Sequence, residues 1–146
     1  MLRAATDGSS LGNPGPSGWA WVIEDGRADS AGARHSTNNR MDLRALIELL
    51  ESSDPNEGLR ISVDSQYVMK IFTEWLPRWR ERGMRTSKNK PVENIDLIER
   101  ADRLLTDRQF EFEWVKGHDG HPMNEQADRL ANAAAMRARE KLRGGA

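Results

Sequence analysis

The sequence predicts one α/β domain, in which helices cover the faces of a mixed β-sheet. Residues 59–64 and 110–115 have the apolar pattern of strands, and each lies between segments with helical periodicity. A strand–helix–strand order requires parallel neighbours, whereas the opening segments indicate antiparallel hairpins. The length of 146 residues is common for a single domain.

The first third of the chain predicts the antiparallel part of the sheet. Few residues precede Asp7, so we expect a short first strand that this residue ends or leaves. Residues 17–23 alternate and place three large apolar side chains on one face: Trp19, Trp21 and Ile23. The Asp-Gly pair at 25–26 indicates a hairpin turn, after which residues 28–35 predict a weakly patterned edge strand.

A helix is predicted directly after this edge strand. The polar residues Thr37, Asn38 and Asn39 supply its N-cap, and it ends near residues 52–55. Its apolar residues follow at i, i+3, i+4 and i+7: Leu43, Leu46, Ile47 and Leu50.

The middle of the chain predicts a buried strand over 59–63 that ends at Asp64. A second helical stripe follows, and Pro77 interrupts it and starts a fresh turn. Its apolar residues are Val68, Ile71, Phe72 and Trp75. Residues 83–93 predict a polar basic loop.

The last third predicts a helix, a strand and a final helix. The first helix carries Leu97, Ile98, Ala101, Leu104 and Leu105. Residues 110–115 alternate as a fifth strand. The final helix carries Ala127, Leu130, Ala131, Ala134 and Ala138. We expect the domain to span residues 1–142, followed by a disordered tail over 143–146.

The composition excludes several classes of protein. The chain has no cysteine, which excludes disulfides and thiolate metal sites. The first residues contain no long apolar run, so the sequence predicts neither a signal peptide nor a membrane span. We therefore expect a cytoplasmic protein.

Charge is distributed unevenly along the chain. The net charge is −1, yet residues 70–90 hold seven Lys and Arg residues against two Glu residues. Such a block on an acidic body is compatible with a phosphate-facing side, and equally with a solvated helix face.

Four aspartates stand where this layout would bring them to one edge of the sheet. Asp7 and Asp64 end strands, Asp42 lies in the first turn of a helix, and Asp128 opens the final helix. Each alone is explained by a turn, a cap or the helix dipole. Together they lie where open α/β sheets bind ligands. Carboxylates in one pocket repel each other unless cations neutralise them, and all-oxygen ligation suits Mg²⁺ or Mn²⁺.

Four long motifs resemble those of bacterial type 1 ribonuclease H in order and spacing. They are residues 6–19 (TDGSSLGNPGPSGW), 37–43 (TNNRMDL), 63–68 (VDSQYV) and 114–128 (WVKGHDGHPMNEQAD). The resemblance spans about residues 4–136 and implies a five-stranded mixed sheet flanked by helices. It also implies endonucleolytic hydrolysis of the RNA strand of RNA–DNA hybrids by two-metal-ion catalysis, leaving 5′-phosphate and 3′-hydroxyl ends.

The resemblance assigns Asp7, Asp42, Asp64 and Asp128 to two Mg²⁺ ions, for which Mn²⁺ can substitute. Asp7 would bridge both ions, Asp128 would complete one site, and Asp42 and Asp64 the other. His118 matches the family's loop histidine, which serves proton transfer or product release. The family ordinarily has Glu where this chain has Asp42, a loss of about 1.5 Å of reach. We expect activity to be retained with an altered metal dependence.

The resemblance also implies how the hybrid is held. It assigns Asn13, Asn38, Asn39 and Gln66 to the minor groove, where amides can contact the 2′-hydroxyl that marks RNA. Thr37 and Asn94 match a phosphate pocket for the DNA strand. The DNA strand would also meet a basic protrusion made of Trp75, Trp79, Arg80, Arg82, Arg85 and Lys88. Met84 stands where many relatives have another Trp.

Two other functions remain open at this point. The Asp at position 42 favours a hybrid-binding module that no longer cuts. A Holliday-junction resolvase or transposase core would use a similar sheet. Such proteins lack the motifs that contain Asn13, Asn38, Asn39 and the loop histidine. A purely structural domain gives no reason for the four motifs. We expect a monomer that does not bind membranes.

Overall fold

A computed structural model describes residues 1–116 and 120–144. Its strands are β1 (Leu2–Ser10), β2 (Gly15–Ile23), β3 (Ala28–Ser36), β4 (Leu59–Val63) and β5 (Phe110–Trp114). Its α-helices are α1 (Asn38–Ser52), α2 (Gln66–Lys70), α3 (Leu76–Glu81), α4 (Ile95–Leu105) and α5 (Pro122–Gly144). The predicted α/β order is confirmed.

The five strands form one mixed sheet in the order β3-β2-β1-β4-β5. The β1–β2 and β2–β3 pairs are antiparallel, and the β1–β4 and β4–β5 pairs are parallel. Helix α1 connects the antiparallel half to the parallel half, as the strand–helix–strand argument requires. The predicted edge strand β3 is confirmed as the outer strand on one side.

The expectation of a short first strand is wrong. β1 has nine residues, because it pairs along most of its length with β2 and along Leu2–Ala5 with β4. Asp7 therefore lies inside β1, opposite Ala20 of β2, rather than at its end. The length of β1 depends on hydrogen bonds to the strands on both of its sides. These strands are formed by other parts of the chain, so the residues around Asp7 do not predict that length.

The predicted caps and breaks of the first helices are largely confirmed. The Thr37 hydroxyl caps α1 by accepting a hydrogen bond of 3.2 Å from the Arg40 N–H. Pro77 lies in the first turn of α3. A π-helical turn over Ile71–Trp75, which the sequence did not predict, joins α2 to α3. The Leu76 N–H bonds to the Ile71 carbonyl in this wider turn.

Helix α5 is longer than predicted. It begins at Pro122, so Asp128 is its seventh residue and does not open it. Proline at a helix start is favourable because its missing N–H would be unpaired there. Arg143 and Gly144, the first residues of the expected tail, are the last residues of α5, while residues 145 and 146 lie outside the described part.

The main core lies on the face of the sheet that α1 and α4 cover. Its fully buried side chains include Leu43, Leu46, Ile47, Ile61 and Ile98. The other face carries a smaller cluster of Ala5, Val22 and Ala127 beneath α5. None of the helices within residues 1–116 and 120–144 is both long and apolar enough to cross a membrane.

Candidate active site

The acidic site forms where β1 continues past the end of β4. The two strands pair only as far as Ala5 and Ser62, β4 ends at Val63, and β1 runs on to Ser10. Asp7 therefore stands just beyond the last paired residues, and Asp64 follows the end of β4. Asp7 is buried, with 6% of its surface exposed.

Asp42 reaches this point from α1. It is the fifth residue of the helix and lies beyond the first turn, which corrects the predicted position. A Cβ atom on Gly8 would lie 2.5 Å from the Asp42 backbone nitrogen and 2.6 Å from the Met41 carbonyl carbon. The helix backbone therefore packs directly on β1, which brings the shorter Asp42 side chain close to Asp7.

Asp128 reaches the site from α5. Its carboxyl group is hydrogen-bonded to that of Asp7. The Ser9 hydroxyl donates to the Asn132 side-chain oxygen one helical turn further along. These two contacts fix α5 against the face of β1 that carries Ala5, Asp7 and Ser9.

Burial and mutual repulsion raise the pKa values of two of these carboxyl groups, Asp7 and Asp42. Burial, the charges of Asp64 and Asp42, and the hydrogen bond with Asp128 raise the pKa of Asp7 from 3.8 to about 9. Burial and the charge of Asp64 raise the pKa of Asp42 to about 8, although hydrogen bonds from Gly8 and Ser65 partly oppose this rise. The site therefore favours any species that brings positive charge.

The donor set fits hard divalent cations, because it consists of carboxylate oxygens only. In the part of the chain that the structure describes, no three His, Asp or Glu side chains form a group that could hold a metal ion as they stand. The four aspartates thus interact electrostatically without forming a finished coordination shell. Side-chain rotation around Asp7 would be needed to complete one.

Trp114 contacts the site in a way that the sequence did not reveal. Its indole Nε1 donates a 3.1 Å hydrogen bond to the backbone carbonyl of Asp64, and its ring is 41% exposed. Trp114 begins the fourth motif and ends a strand, but neither feature indicates a contact with Asp64. A cap at the start of α2 was the alternative explanation for Asp64. The structure assigns that cap to the Ser65 hydroxyl instead.

The three predicted minor-groove asparagines lie at one corner of the molecule. The Asn13 side-chain oxygen accepts a 3.0 Å hydrogen bond from the Asn38 N–H, which ties the β1–β2 loop to the start of α1. Asn39 is exposed, and Gln66 is half-buried at the start of α2. Thr37 rather than Asn38 or Asn39 caps α1, and the Asn39 side chain stays exposed.

The predicted phosphate pocket is a linked set of polar side chains. The Asn94 amide nitrogen donates to the Tyr67 hydroxyl at 3.0 Å, and its oxygen accepts from Arg40 at 3.2 Å. Arg40 also pairs with Asp96 at 2.9 Å. Thr37 caps the backbone of the same Arg40. Arg40 therefore connects Thr37 and Asn94, the two residues that the resemblance assigned to this pocket. The sequence analysis did not assign Arg40 to it.

Two tryptophans form one wall of a groove beside the basic loop. The ring centroids of Trp75 and Trp79 are 5.7 Å apart, and Tyr67 packs on Trp75 at 6.3 Å. The groove has a volume of about 250 Å³ and is also lined by Arg78 and Arg82. Both tryptophans are half-buried, so each packs on the domain and still faces solvent.

The cations of the predicted protrusion are not equivalent. Arg80 forms an ion pair with Asp102 of α4 and lines a separate pocket with it. Arg85 donates to the Asn89 carbonyl within the loop, at 3.0 Å. Arg82 and Lys88 are exposed. His118, the predicted loop histidine, lies outside the described residues.

Comparison with known proteins decides the family. The RNase H family model matches residues 2–136. The chain belongs to the RNase H family. It is 48% identical to "Ribonuclease H" of Cronobacter sakazakii over 139 residues, covering 93% of this chain and 88% of that protein. It is 49% identical to "Ribonuclease H" of Escherichia coli strain E24377A, covering 93% and 90%.

Solved structures agree with the sequence comparison. LC9-RNase H1, described as a type 1 RNase H with the type 2 active-site motif, superposes with a TM-score of 0.80 at 30% identity, covering 94% of this chain and 72% of that one. RNase H1 of Halobacterium salinarum gives a TM-score of 0.70 at 30% identity, covering 93% and 98%. The predicted membership of type 1 and the predicted endoribonuclease class are confirmed.

Proposed function

We propose that this enzyme hydrolyses the RNA strand of RNA–DNA hybrids endonucleolytically, by two-metal-ion catalysis, and leaves 5′-phosphate and 3′-hydroxyl ends. The observation that carries the proposal is the junction of β1 and β4, where Asp7, Asp42, Asp64 and Asp128 act on one another electrostatically. That junction is found in a chain of the RNase H family.

The acidic residues would hold two Mg²⁺ ions, with Mn²⁺ as a substitute. When bound, such ions supply an activated water and stabilise the leaving oxygen of the phosphodiester. Asp7 would take part in both ion sites, and its interaction with all three other aspartates supports this role. Asp128 would complete one site and Asp42 and Asp64 the other.

The backbone around the acidic residues positions them for this task. The Trp114 indole fixes the carbonyl of Asp64, and the Ser65 hydroxyl and Gly8 N–H hydrogen-bond with Asp42. Groups held in place before the substrate binds lower the cost of reorganisation during the reaction. We assign proton transfer or product release to His118 on its motif alone.

The hybrid would lie with its minor groove on the corner formed by Asn13, Asn38 and Asn39, with Gln66 beside the acidic residues. Exposed amides at this corner can donate to and accept from a ribose 2′-hydroxyl. A DNA strand has no such hydroxyl, so this corner would select the strand that is cut.

The DNA strand would be held on the far side of the acidic residues. Thr37 and Asn94, joined by Arg40, would contact one phosphate. The groove between Trp75, Trp79 and Arg82 would take the next deoxyriboses, with Arg85 and Lys88 near the backbone. Arg80 is already neutralised by Asp102, so we expect it to support the protrusion.

The decisive experiment is cleavage of an end-labelled RNA–DNA hybrid beside matched RNA and DNA duplexes, with Mg²⁺ and Mn²⁺ titrated. We expect multiple turnover on the hybrid only. Asp7→Asn should lower the rate by at least about a thousandfold, equivalent to about 4 kcal/mol. The exposed Asp29→Asn on β3 is the matched control and should leave the rate unchanged.

Three results would refute the proposal in different ways. Tight binding without turnover would identify a hybrid-binding module. Equal cutting of DNA duplex would identify a broader nuclease of the same fold. Ends that lack a 5′-phosphate would refute the assigned chemistry while leaving the substrate class intact.

A further inference from the structure

A groove of about 640 Å³ lies between the outer strand β3 and the last turns of α5. Its β3 side consists of residues 30–34, and its floor includes Ala134 and Ala138 of α5. Leu142, an exposed apolar side chain, closes one end. The groove shares no lining residue with the acidic site or with the groove beside the tryptophans.

Among the residues that the structure describes, three cations and no acidic residue line this groove. Arg34 comes from β3, and Arg137 and Lys141 stand four residues apart on α5. None of the three is ion-paired with a carboxylate in residues 1–116 and 120–144. An apolar floor with an unbalanced cationic rim favours a ligand that is both apolar and acidic.

The β3 side of the groove is also an unpaired sheet edge. β3 pairs with β2 on one side and is the last strand of the sheet on the other. Alternate residues of such a strand direct their N–H and C=O groups outward, where an extended chain can pair with them. Residues 30–34 offer a length of about 16 Å, at about 3.3 Å per residue.

We propose that this groove binds an extended acidic segment of a partner protein, which adds to β3 as a sixth strand. Alternate apolar side chains of the segment would lie on Ala134, Ala138 and Leu142. Its carboxylates would pair with Arg34, Arg137 and Lys141. This surface is separate from the hybrid site, so the proposal stands independently of the cleavage reaction.

A peptide fits the groove better than a nucleic acid does. Proteins that bind single-stranded nucleic acid stack its bases on aromatic side chains, and none of the described residues that line this groove is aromatic. The tryptophans that could stack on a nucleotide lie in the other groove. A free strand edge, in contrast, pairs in register with both the N–H and the C=O groups of an extended peptide, a repeat that a nucleotide strand does not offer.

The test uses the whole chain and a fluorescein-labelled peptide of about eight residues that alternates valine with glutamate. Fluorescence anisotropy should show saturable binding that weakens at high salt. Arg137→Glu combined with Lys141→Glu should weaken binding at least about tenfold. Arg143→Glu, on the same helix but outside the lining, should change it less than about twofold and is the matched control.

The binding site is checked independently by amide chemical shifts and hybrid cleavage. Peptide addition should shift the amides of residues 30–34 and slow their hydrogen exchange, while the rate of hybrid cleavage by the double variant stays that of the unsubstituted chain. The proposal is overturned if a lysine-containing peptide binds equally well, or if the double variant binds normally. Preferential binding of a single-stranded oligonucleotide at these residues would overturn it in favour of a nucleic-acid surface.

Discussion

At the scale of single residues, Asp42 is an acidic-site position where the motif resemblance leads us to expect Glu. The family's usual Glu would reach about 1.5 Å further. The α1 backbone packs directly on β1 at Gly8, so Asp42 begins close to the strand that carries Asp7. A carboxylate side chain that can only just reach a metal ion could coordinate it in few geometries.

We expect Asp42→Glu to change the metal dependence of cleavage. Mg²⁺ demands near-ideal octahedral geometry, so a longer ligand should shift the Mg²⁺ concentration for half-maximal rate by about threefold or more. The measurement is the cleavage rate over a Mg²⁺ and a Mn²⁺ titration. If both the rate and the metal optimum stay unchanged, Asp42 has no reach deficit.

The raised pKa values of the acidic site predict how stability depends on pH in the absence of metal. Asp7 and Asp42 have folded pKa values of about 9 and about 8, well above 3.8. The folded state therefore binds more protons than the unfolded state between about pH 4 and 9, and its stability falls as pH rises through that window.

We expect Asp7→Asn to stabilise the protein in EDTA, and to do so more at high pH. The amide cannot ionise, so the variant escapes a penalty that grows by up to about 1.4 kcal/mol per pH unit. Its advantage in free energy of unfolding should grow by about 1–3 kcal/mol between pH 6 and 9. Urea unfolding measures it, and Asp29→Asn should show no such trend.

Trp114 is a positioning residue for Asp64. Trp114→Phe keeps an aromatic side chain, although a smaller one, and removes the 3.1 Å hydrogen bond to the Asp64 carbonyl, a loss of about 1 kcal/mol. We expect kcat to fall by about fivefold at low Mg²⁺ with little change in KM. A purely structural tryptophan would lower the melting temperature without changing the Mg²⁺ dependence.

At the scale of elements, the contact between β1 and α1 determines where Asp42 stands. Gly8→Ala would place a methyl group 2.5 to 2.7 Å from backbone and Cβ atoms of Met41 and Asp42. The helix must move, which should cost about 1–3 kcal/mol of stability and displace the carboxylate. Gly58→Ala is the control, because its methyl would meet the flexible ends of Met1 and Gln109. Equal losses of activity in both variants would contradict this account.

The sequence predicted elements well where periodicity is strong and local. The spacing of Leu43, Leu46, Ile47 and Leu50 gave α1, and the Thr37 cap gave its start. The length of β1 and the start of α5 were mispredicted, because strand pairing and the docking of α5 on β1 involve residues far apart in sequence. The π-helical turn before Pro77 has no periodic signal of its own.

The candidate site was also predicted only in part. The motifs identified its four aspartates, but they did not single out Gly8, Trp114 or Arg40. Each of these three acts through a contact with a residue from another element. A single sequence gives residue types and spacing, whereas such contacts appear only once the chain is folded.

At the scale of the whole molecule, a net charge of −1 hides separate regions of opposite sign. The acidic junction of β1 and β4, the basic loop after α3 and the cationic groove at the end of α5 are formed by separate sets of residues. The sequence analysis found the first basic region, because it is continuous in the chain. The second combines Arg34 with two residues about a hundred positions later, and only the fold assembles it.

We expect the exposed cations of the basic loop, but not the ion-paired one, to determine how hybrid binding depends on salt. Arg82 and Lys88 are exposed and Arg80 is paired with Asp102, so only the first two should exchange counterions with the hybrid. Arg82→Gln with Lys88→Gln should reduce the slope of log K against log salt by about 1 to 2, at about 0.9 per phosphate contact.

Arg80→Gln is the matched control and should leave the slope unchanged. The measurement is anisotropy of a labelled 12-base-pair hybrid in EDTA between 50 and 200 mM salt. A slope that falls equally in Arg80→Gln would show that Asp102 does not keep Arg80 from the phosphates.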